Sequence, residues 1–164
     1  MPNWCTNNVS FTHDNPEMIA KIEQAATNQN LFESFVPSPN GEWEHFWAVE
    51  NWGTKWDASN VDIMNNNGKT IDLFFETAWA PPVGVYDKMK ELGFRIDATY
   101  HEEGMSFAGH YTSEDGDKCY DYDFSEENWR EGIDDNEVLY FLEEQYEMWQ
   151  QNEEDFDDLE GEEE

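Results

Sequence analysis

The sequence predicts an α+β fold: an antiparallel sheet on a split β-α-β plan, followed by an acidic helical extension. Three observations predict it. Short stretches in which apolar and polar residues alternate are interleaved with two stretches of helical spacing. Turn-forming residues separate them at Asn65-Asn66-Asn67-Gly68, Ala80-Pro81-Pro82 and Ser113-Glu114-Asp115-Gly116. The charge is also uneven, since residues 125–164 carry 18 of the 39 acidic side chains and a single basic one, Arg130.

Taken in order, Asn8-Val9-Ser10-Phe11-Thr12 alternates as a half-buried strand does. Asn15-Pro16-Glu17 then starts a helix: Asn caps, Pro suits the first position, and Glu favours the positive end of the dipole. Met18, Ile19, Ile22 and Ala26 follow at helical spacing, and Leu31, Phe32 and Phe35 extend the core before Pro37-Ser38-Pro39. Glu42 to Ala58 holds Trp43, Trp47, Trp52 and Trp56 without a clean period, and reads as a helix-plus-loop insertion packed on one sheet edge. Val61–Met64 and Thr70–Thr77 form a hairpin across the Asn-Gly turn. Val85, Met89 and Leu92 mark a second helix that stops at Gly93, and Phe94–Tyr100 alternates again. Met105–Thr112 and Lys118–Asp123 form a further hairpin. The first six elements give the order of ferredoxin-like folds, and the C-terminal hairpin would widen their antiparallel sheet.

The change in charge near Phe124 divides the chain into residues 1–124, the ferredoxin-like domain, and residues 125–164, the acidic extension. In the extension, Leu139, Leu142, Tyr146 and Trp149 mark one face of a helix from about Asp134 to Gln150. Glu153 to Glu164 is low-complexity acid and is expected to be disordered.

The formal charge of −31 argues against nucleic acid or an anionic membrane as a direct partner, because both are polyanions. It favours a basic protein partner, cations, or solubility alone. The chain's 8 Trp, 7 Tyr and 11 Phe supply enough large side chains for a core despite the polar average. No segment approaches ~18 consecutive apolar residues. Met1-Pro2-Asn3-Trp4-Cys5 lacks the basic and apolar regions of a signal peptide. A cytoplasmic protein with Cys5 and Cys119 as reduced thiols is expected.

Four blocks carry a family resemblance: Pro2-Asn3-Trp4-Cys5 with Asn7; Asn51-Trp52-Gly53-Thr54-Lys55-Trp56-Asp57; Thr77-Ala78-Trp79 with Pro81-Pro82; and Tyr100 with Glu102 and Gly104. In this order they resemble the YubB-like proteins, small proteins of phages, plasmids and some bacterial genomes. The resemblance spans about residues 2–112. It implies a ferredoxin-like domain and a mobile-element setting, with no settled activity, and leaves the acidic extension outside.

Two surfaces are candidate sites. Trp52, Gly53, Thr54, Lys55, Trp56 and Asp57, joined by Trp79, Tyr100 and Glu102, could line a pocket with stacking faces, a cation and hydrogen-bonding groups. The structural alternative is a Gly turn that docks tryptophans on the sheet. His101 with Glu102 and Glu103 offers acid/base chemistry on paper, but neighbours in a strand point to opposite faces. Among His13, His45, His101, His110, Cys5 and Cys119 there is no zinc-type close pairing, and Asp115-Gly116-Asp117 is too short for a calcium loop. No Gly-rich phosphate loop appears, so neither metal nor cofactor is expected. The second surface is the polar side of the last helix: Asp134, Asp135, Glu137, Glu143, Glu144 and Glu147, extended by Asp155, Asp157 and Asp158.

The expected function is that of an acidic interaction protein of a mobile element. It would bind and inhibit a basic host protein, with nucleic-acid mimicry as one route. The rival expectation is a small-molecule-binding or enzymatic domain at Trp52–Asp57, and the blandest is a non-catalytic scaffold kept in solution by its charge.

Overall fold

Alternation along Trp4–Thr12 (β1) buries Cys5, Asn7, Val9 and Phe11 on one face of the chain's first strand. That strand becomes the centre of the sheet. The computed structural model describes residues 2–161. It places β1 between Thr70–Ala78 (β3) and Arg95–Glu102 (β4), with Val9 opposite Leu73 on one side and Ala98 on the other. Ser59–Asn66 (β2) lies outside β3, while Phe107–Thr112 (β5) and Gly116–Asp121 (β6) continue beyond β4. The order is β2-β3-β1-β4-β5-β6, every pairing antiparallel. Its first four strands follow the split β-α-β plan, and β5–β6 is the expected extra hairpin.

One layer of helices covers the face that bears Val9, Phe11, Leu73, Phe75 and Ile96. Pro16–Thr27 (α1) starts as read, with Asn15 Oδ1 accepting the Glu17 amide. Leu31–Phe35 (α2) buries Leu31, Phe32 and Phe35. His45–Trp52 (α3) follows a short 3-10 turn at Pro39–Gly41, and Val83–Glu91 (α4) completes the layer. The tryptophan-rich insertion does form a helix and a loop. It packs on α4 rather than on a sheet edge: a Cβ at Gly84 would lie 2.3 Å from the Asn51 carbonyl oxygen, so only glycine admits this approach. Leu92, expected with Val85 and Met89 to mark this helix, lies just past its end at Glu91 and is 46% exposed.

The second face of the sheet has its own, smaller core. Ala108 of β5 and Tyr122 pack against Trp129, Ile133, Val138 and Leu142, four buried residues of the extension. Val138 and Leu142 belong to Asn136–Gly161 (α5), which crosses this face. The change in composition at Phe124 thus falls inside a shared core.

At 26 residues, α5 is about 39 Å long. It continues to Gly161, past the expected end near Gln150. The expectation of disorder from Glu153 does not hold over residues 153–161, which are helical; residues 162–164 lie outside the described residues. Glu, Gln, Leu and Met are good helix formers, and no proline or glycine interrupts them before Gly161. No helix among the described residues is long and apolar enough to cross a membrane.

Candidate functional site

The tryptophan-rich string is placed by its hydrogen bonds, and these are internal. Trp52 is buried, and its indole N–H donates to the Val36 carbonyl at 2.8 Å. Gly53 ends α3 in the left-handed conformation at φ +85°, with its amide donating to Val49. Thr54 is buried and donates to the Ala78 carbonyl at 2.7 Å. Asp57 accepts the amides of Phe32, Glu33 and Ala58 at 2.8, 3.0 and 2.7 Å, which fastens the start of α2. Burial pushes its carboxyl up, against the pull of those three amides. Lys55 does not pair with Asp57; its Nζ sits 4.6 Å from the centre of the Trp56 ring.

The other residues of that candidate pocket lie apart. Trp79 is half exposed at φ +71°, tied through its amide to the Asn3 carbonyl. Tyr100 donates to Asp117 Oδ1 at 2.7 Å across β5. Buried Glu102 accepts the amides of Gly104 and Met105 and closes the turn before β5. Trp52, Thr54, Asp57, Tyr100 and Glu102 therefore join loop, helix end and strand end, and the structure does not gather them around one cavity.

The nine acids of the second surface divide in two. Four are engaged inside the fold. Asp134 accepts the Tyr120 hydroxyl, Asp135 caps α5, Glu137 lies 3.6 Å from His110 Nε2, and Glu143 pairs with Arg130. Glu144, Glu147, Asp155, Asp157 and Asp158 are exposed and make no ion pair among the described residues. No Lys, Arg or His lies within α5.

Sequence spacing could not show where His110 sits. Its Nε2 is 2.7 Å from Asp97 Oδ1 on β4, and its Nδ1 is 2.8 Å from Asp135 Oδ2 at the start of α5. Partial burial alone would lower the pKa of the imidazole; the hydrogen bonds and charges of Asp135 and Asp97 outweigh it, so the net shift is upward. Asp97, His110 and Glu137 bring one oxygen or nitrogen each within 4.8 Å of one another, the spacing of a three-ligand metal site, and ion pairing with a protonated imidazole accounts for the same geometry.

A second grouping, also unseen in the sequence, is aromatic. Phe124, Trp129, Tyr146 and Trp149 pack ring to ring, with centroids 5.1–6.0 Å apart. Tyr146 and Trp149 were legible as one helix face, but nothing in the spacing joined them to Phe124 and Trp129. On one side the cluster carries Arg130, whose guanidinium carbon lies 4.3 Å from the Trp129 ring centre and 5.1 Å from that of Tyr146. Arg130 also donates to both carboxylate oxygens of Glu143. On another side it borders an open cavity of about 440 Å³ between α5 and the turn after β4, with Phe124 and Trp149 in its wall. The floor is His101 and Tyr122, 2.6 Å apart at Nε2 and the hydroxyl, and the carboxylates of Glu103 and Asp123 stand at the rim. Burial lowers the pKa of His101, against the charges of Glu103 and Glu102, and so favours the neutral ring.

Comparison with known proteins bears on the fold. No curated protein matches the chain. Among solved structures, the protein api92 from Yersinia pseudotuberculosis is similar over 48% of this chain at 18% identity, with a TM-score of 0.38; the chain spans 30% of that protein's length. The family described as the ferredoxin-like domain in Api92-like protein matches residues 51–143, from the end of α3 into the first turns of α5. The matched residues reach past residue 112, where the resemblance read from the sequence stops, and include the part of the extension that is docked on the sheet. With more than half of its residues in that match and the ferredoxin-like strand order in its sheet, the chain belongs to the DUF1281_C family, the ferredoxin-like domain of Api92-like proteins.

Proposed function

We propose that this protein is an acidic interaction module that binds and inhibits a basic protein through α5. The supporting observation is the helix itself: it runs beyond the sheet with Glu144, Glu147, Asp155, Asp157 and Asp158 exposed and no cation of its own. From Glu144 to Asp158 the sequence has seven acids, about one per 3 Å of helix axis. A nucleic-acid strand carries one charge per ~3.4 Å. Such a rod fits the basic groove of a nucleic-acid-handling protein, and association would be fast and weakened by salt. The YubB-like resemblance supplies the setting for this reading, a phage or plasmid protein acting on a host protein in the host cytoplasm.

The test is a pull-down from host lysate with the full chain and with a chain ending at Gln150, washed at low and high salt. The reading expects a basic nucleic-acid-binding protein that only the full chain retains and that salt elutes. Retention of the same proteins by both chains, or resistance to salt, would overturn it.

A further inference from the structure

The cavity beside α5 matches the chemistry of a guanidinium group, and the protein contains its own example of the match. Arg130 lies over Trp129 and Tyr146 and forks onto Glu143. That arrangement combines aromatic faces for a flat cation with a carboxylate for its N–H groups. The cavity of about 440 Å³ offers the same elements from the other members of the cluster: Trp149 and Phe124 as aromatic wall, Glu103 and Asp123 as carboxylates. Among the described residues, no Lys or Arg lines it. Its floor is His101 held by Tyr122, where burial favours the neutral imidazole. Gln145 and Asn152 of α5 add amide groups. Glu103 and Asp123 are exposed at the rim, so a long side chain could enter from solvent without the fold opening.

We propose that this cavity is a docking site for an arginine side chain of a basic partner protein. The proposal rests on the reading of the chain as a binder of basic proteins and makes it more specific. The outer acids of α5 attract the partner without regard to its geometry, whereas the cavity selects a planar, forked cation. Charge complementarity argues for this occupant, as the chain carries a formal charge of −31. The preference for arginine over lysine follows from the aromatic wall of Trp149 and Phe124 beside the carboxylates: a planar, forked guanidinium matches both at once, whereas a compact ammonium offers neither a flat face nor a fork.

The test uses the full chain and two synthetic probes, nona-arginine and nona-lysine, measured by calorimetry, with amide and indole NMR shifts to locate them. Nona-arginine is expected to bind more tightly than nona-lysine and to shift the Trp149 indole signal. The double variant Glu103→Gln, Asp123→Asn is expected to lose tenfold or more in affinity, because it removes two charge-assisted contacts. The asparagine side-chain oxygen can still accept the Ser125 amide that Asp123 accepts now, so the turn is kept. The variant Glu50→Gln, Glu114→Gln removes equal charge from exposed positions away from both the cavity and α5 and is expected to lose far less. Equal binding of the two peptides, an unmoved Trp149 signal, or equal losses in both double variants would overturn the proposal. Those results with peptide still bound along α5 would leave the acidic-module reading standing. Absence of binding to either peptide at low salt would remove both.

Discussion

Asp135 serves two elements at once: one carboxylate oxygen caps α5 by accepting the amides of Glu137 and Val138 at 3.0 and 3.1 Å, and the other lies 2.8 Å from His110 Nδ1 on β5. The acidic helix is thereby fastened to the sheet at its N-cap, the residue before its first turn. Asp97 on β4 grips the other nitrogen of the same ring, Glu137 stands 3.6 Å from it, and Lys118 of β6 is opposite His110 in register. The net charge of this knot depends on the imidazole proton.

A pH dependence follows. The folded pKa of His110 is above its ordinary value, so the pair stabilises the fold fully below about pH 6.5, and the contribution disappears as pH rises through the folded pKa. His110→Gln is expected to cost about 1–2 kcal/mol at pH 6, allowing for solvent at the exposed Asp97 and Glu137, and progressively less towards pH 9. Thermal unfolding of both proteins at each pH checks this, since general acid repulsion cancels in the difference. A gap that stays constant with pH would contradict it.

Asp57 is expected to matter for stability. Its carboxylate holds three amides at the junction of α2 and β2. Asp57→Ala leaves them without their acceptor and is expected to cost about 1–3 kcal/mol in urea unfolding. Asp57→Asn keeps one oxygen and is expected to fall between. Unfolding of both variants at the wild-type midpoint would contradict it.

Gly109 is required by Tyr100. A Cβ at Gly109 would come 2.2 Å from Tyr100 Cζ, because the ring crosses that position to reach Asp117. Gly109→Ala is expected to destabilise by about 1–3 kcal/mol. The same change in a Tyr100→Ala background is expected to cost less without becoming neutral, since the ring contact is gone while the Lys118 carbonyl oxygen still lies 2.6 Å from the Cβ position. Equal costs in both backgrounds would place the strain elsewhere.

What the sequence could show is whatever local chemistry decides. Asn15 caps α1 as its position before Pro16 and Glu17 implies, and the Asn-Gly turn sets the β2–β3 hairpin. Val9, Phe11, Ile96 and Ala98 are buried because alternation assigns them to one face. The helical period of Leu142, Tyr146 and Trp149 gave α5 an apolar side but no partner for it. Its partner is the opposite face of the sheet, at Ala108, and a small residue between Phe107 and Gly109 gives no pattern to read. The tryptophan string is ambiguous for a similar reason: aromatic residues in a row do not disclose whether their N–H groups meet a ligand or, as with Trp52, a main-chain carbonyl. His110 and Asp97 are 13 residues apart and meet only through strand register.

The shared core on the second face makes the two truncations unequal. A chain ending at Phe124 loses Trp129, Ile133, Val138 and Leu142, all buried, and uncovers Ala108 and Tyr122. At about 1.5–3 kcal/mol for each buried side chain, the loss is about 6–12 kcal/mol as an upper bound, which is comparable to the whole stability of an ordinary domain. This chain is expected to lose its near-UV circular dichroism and its cooperative melt. A chain ending at Gln150 keeps all four residues, and what it removes is exposed from Gln151 to Leu159. It also sheds nine acids from a chain that repels itself. It is therefore expected to melt at the full-length temperature or slightly above it. A cooperative melt at the full-length temperature for the chain ending at Phe124 would show that the second core contributes little, and that the acidic segment is an appendage after all.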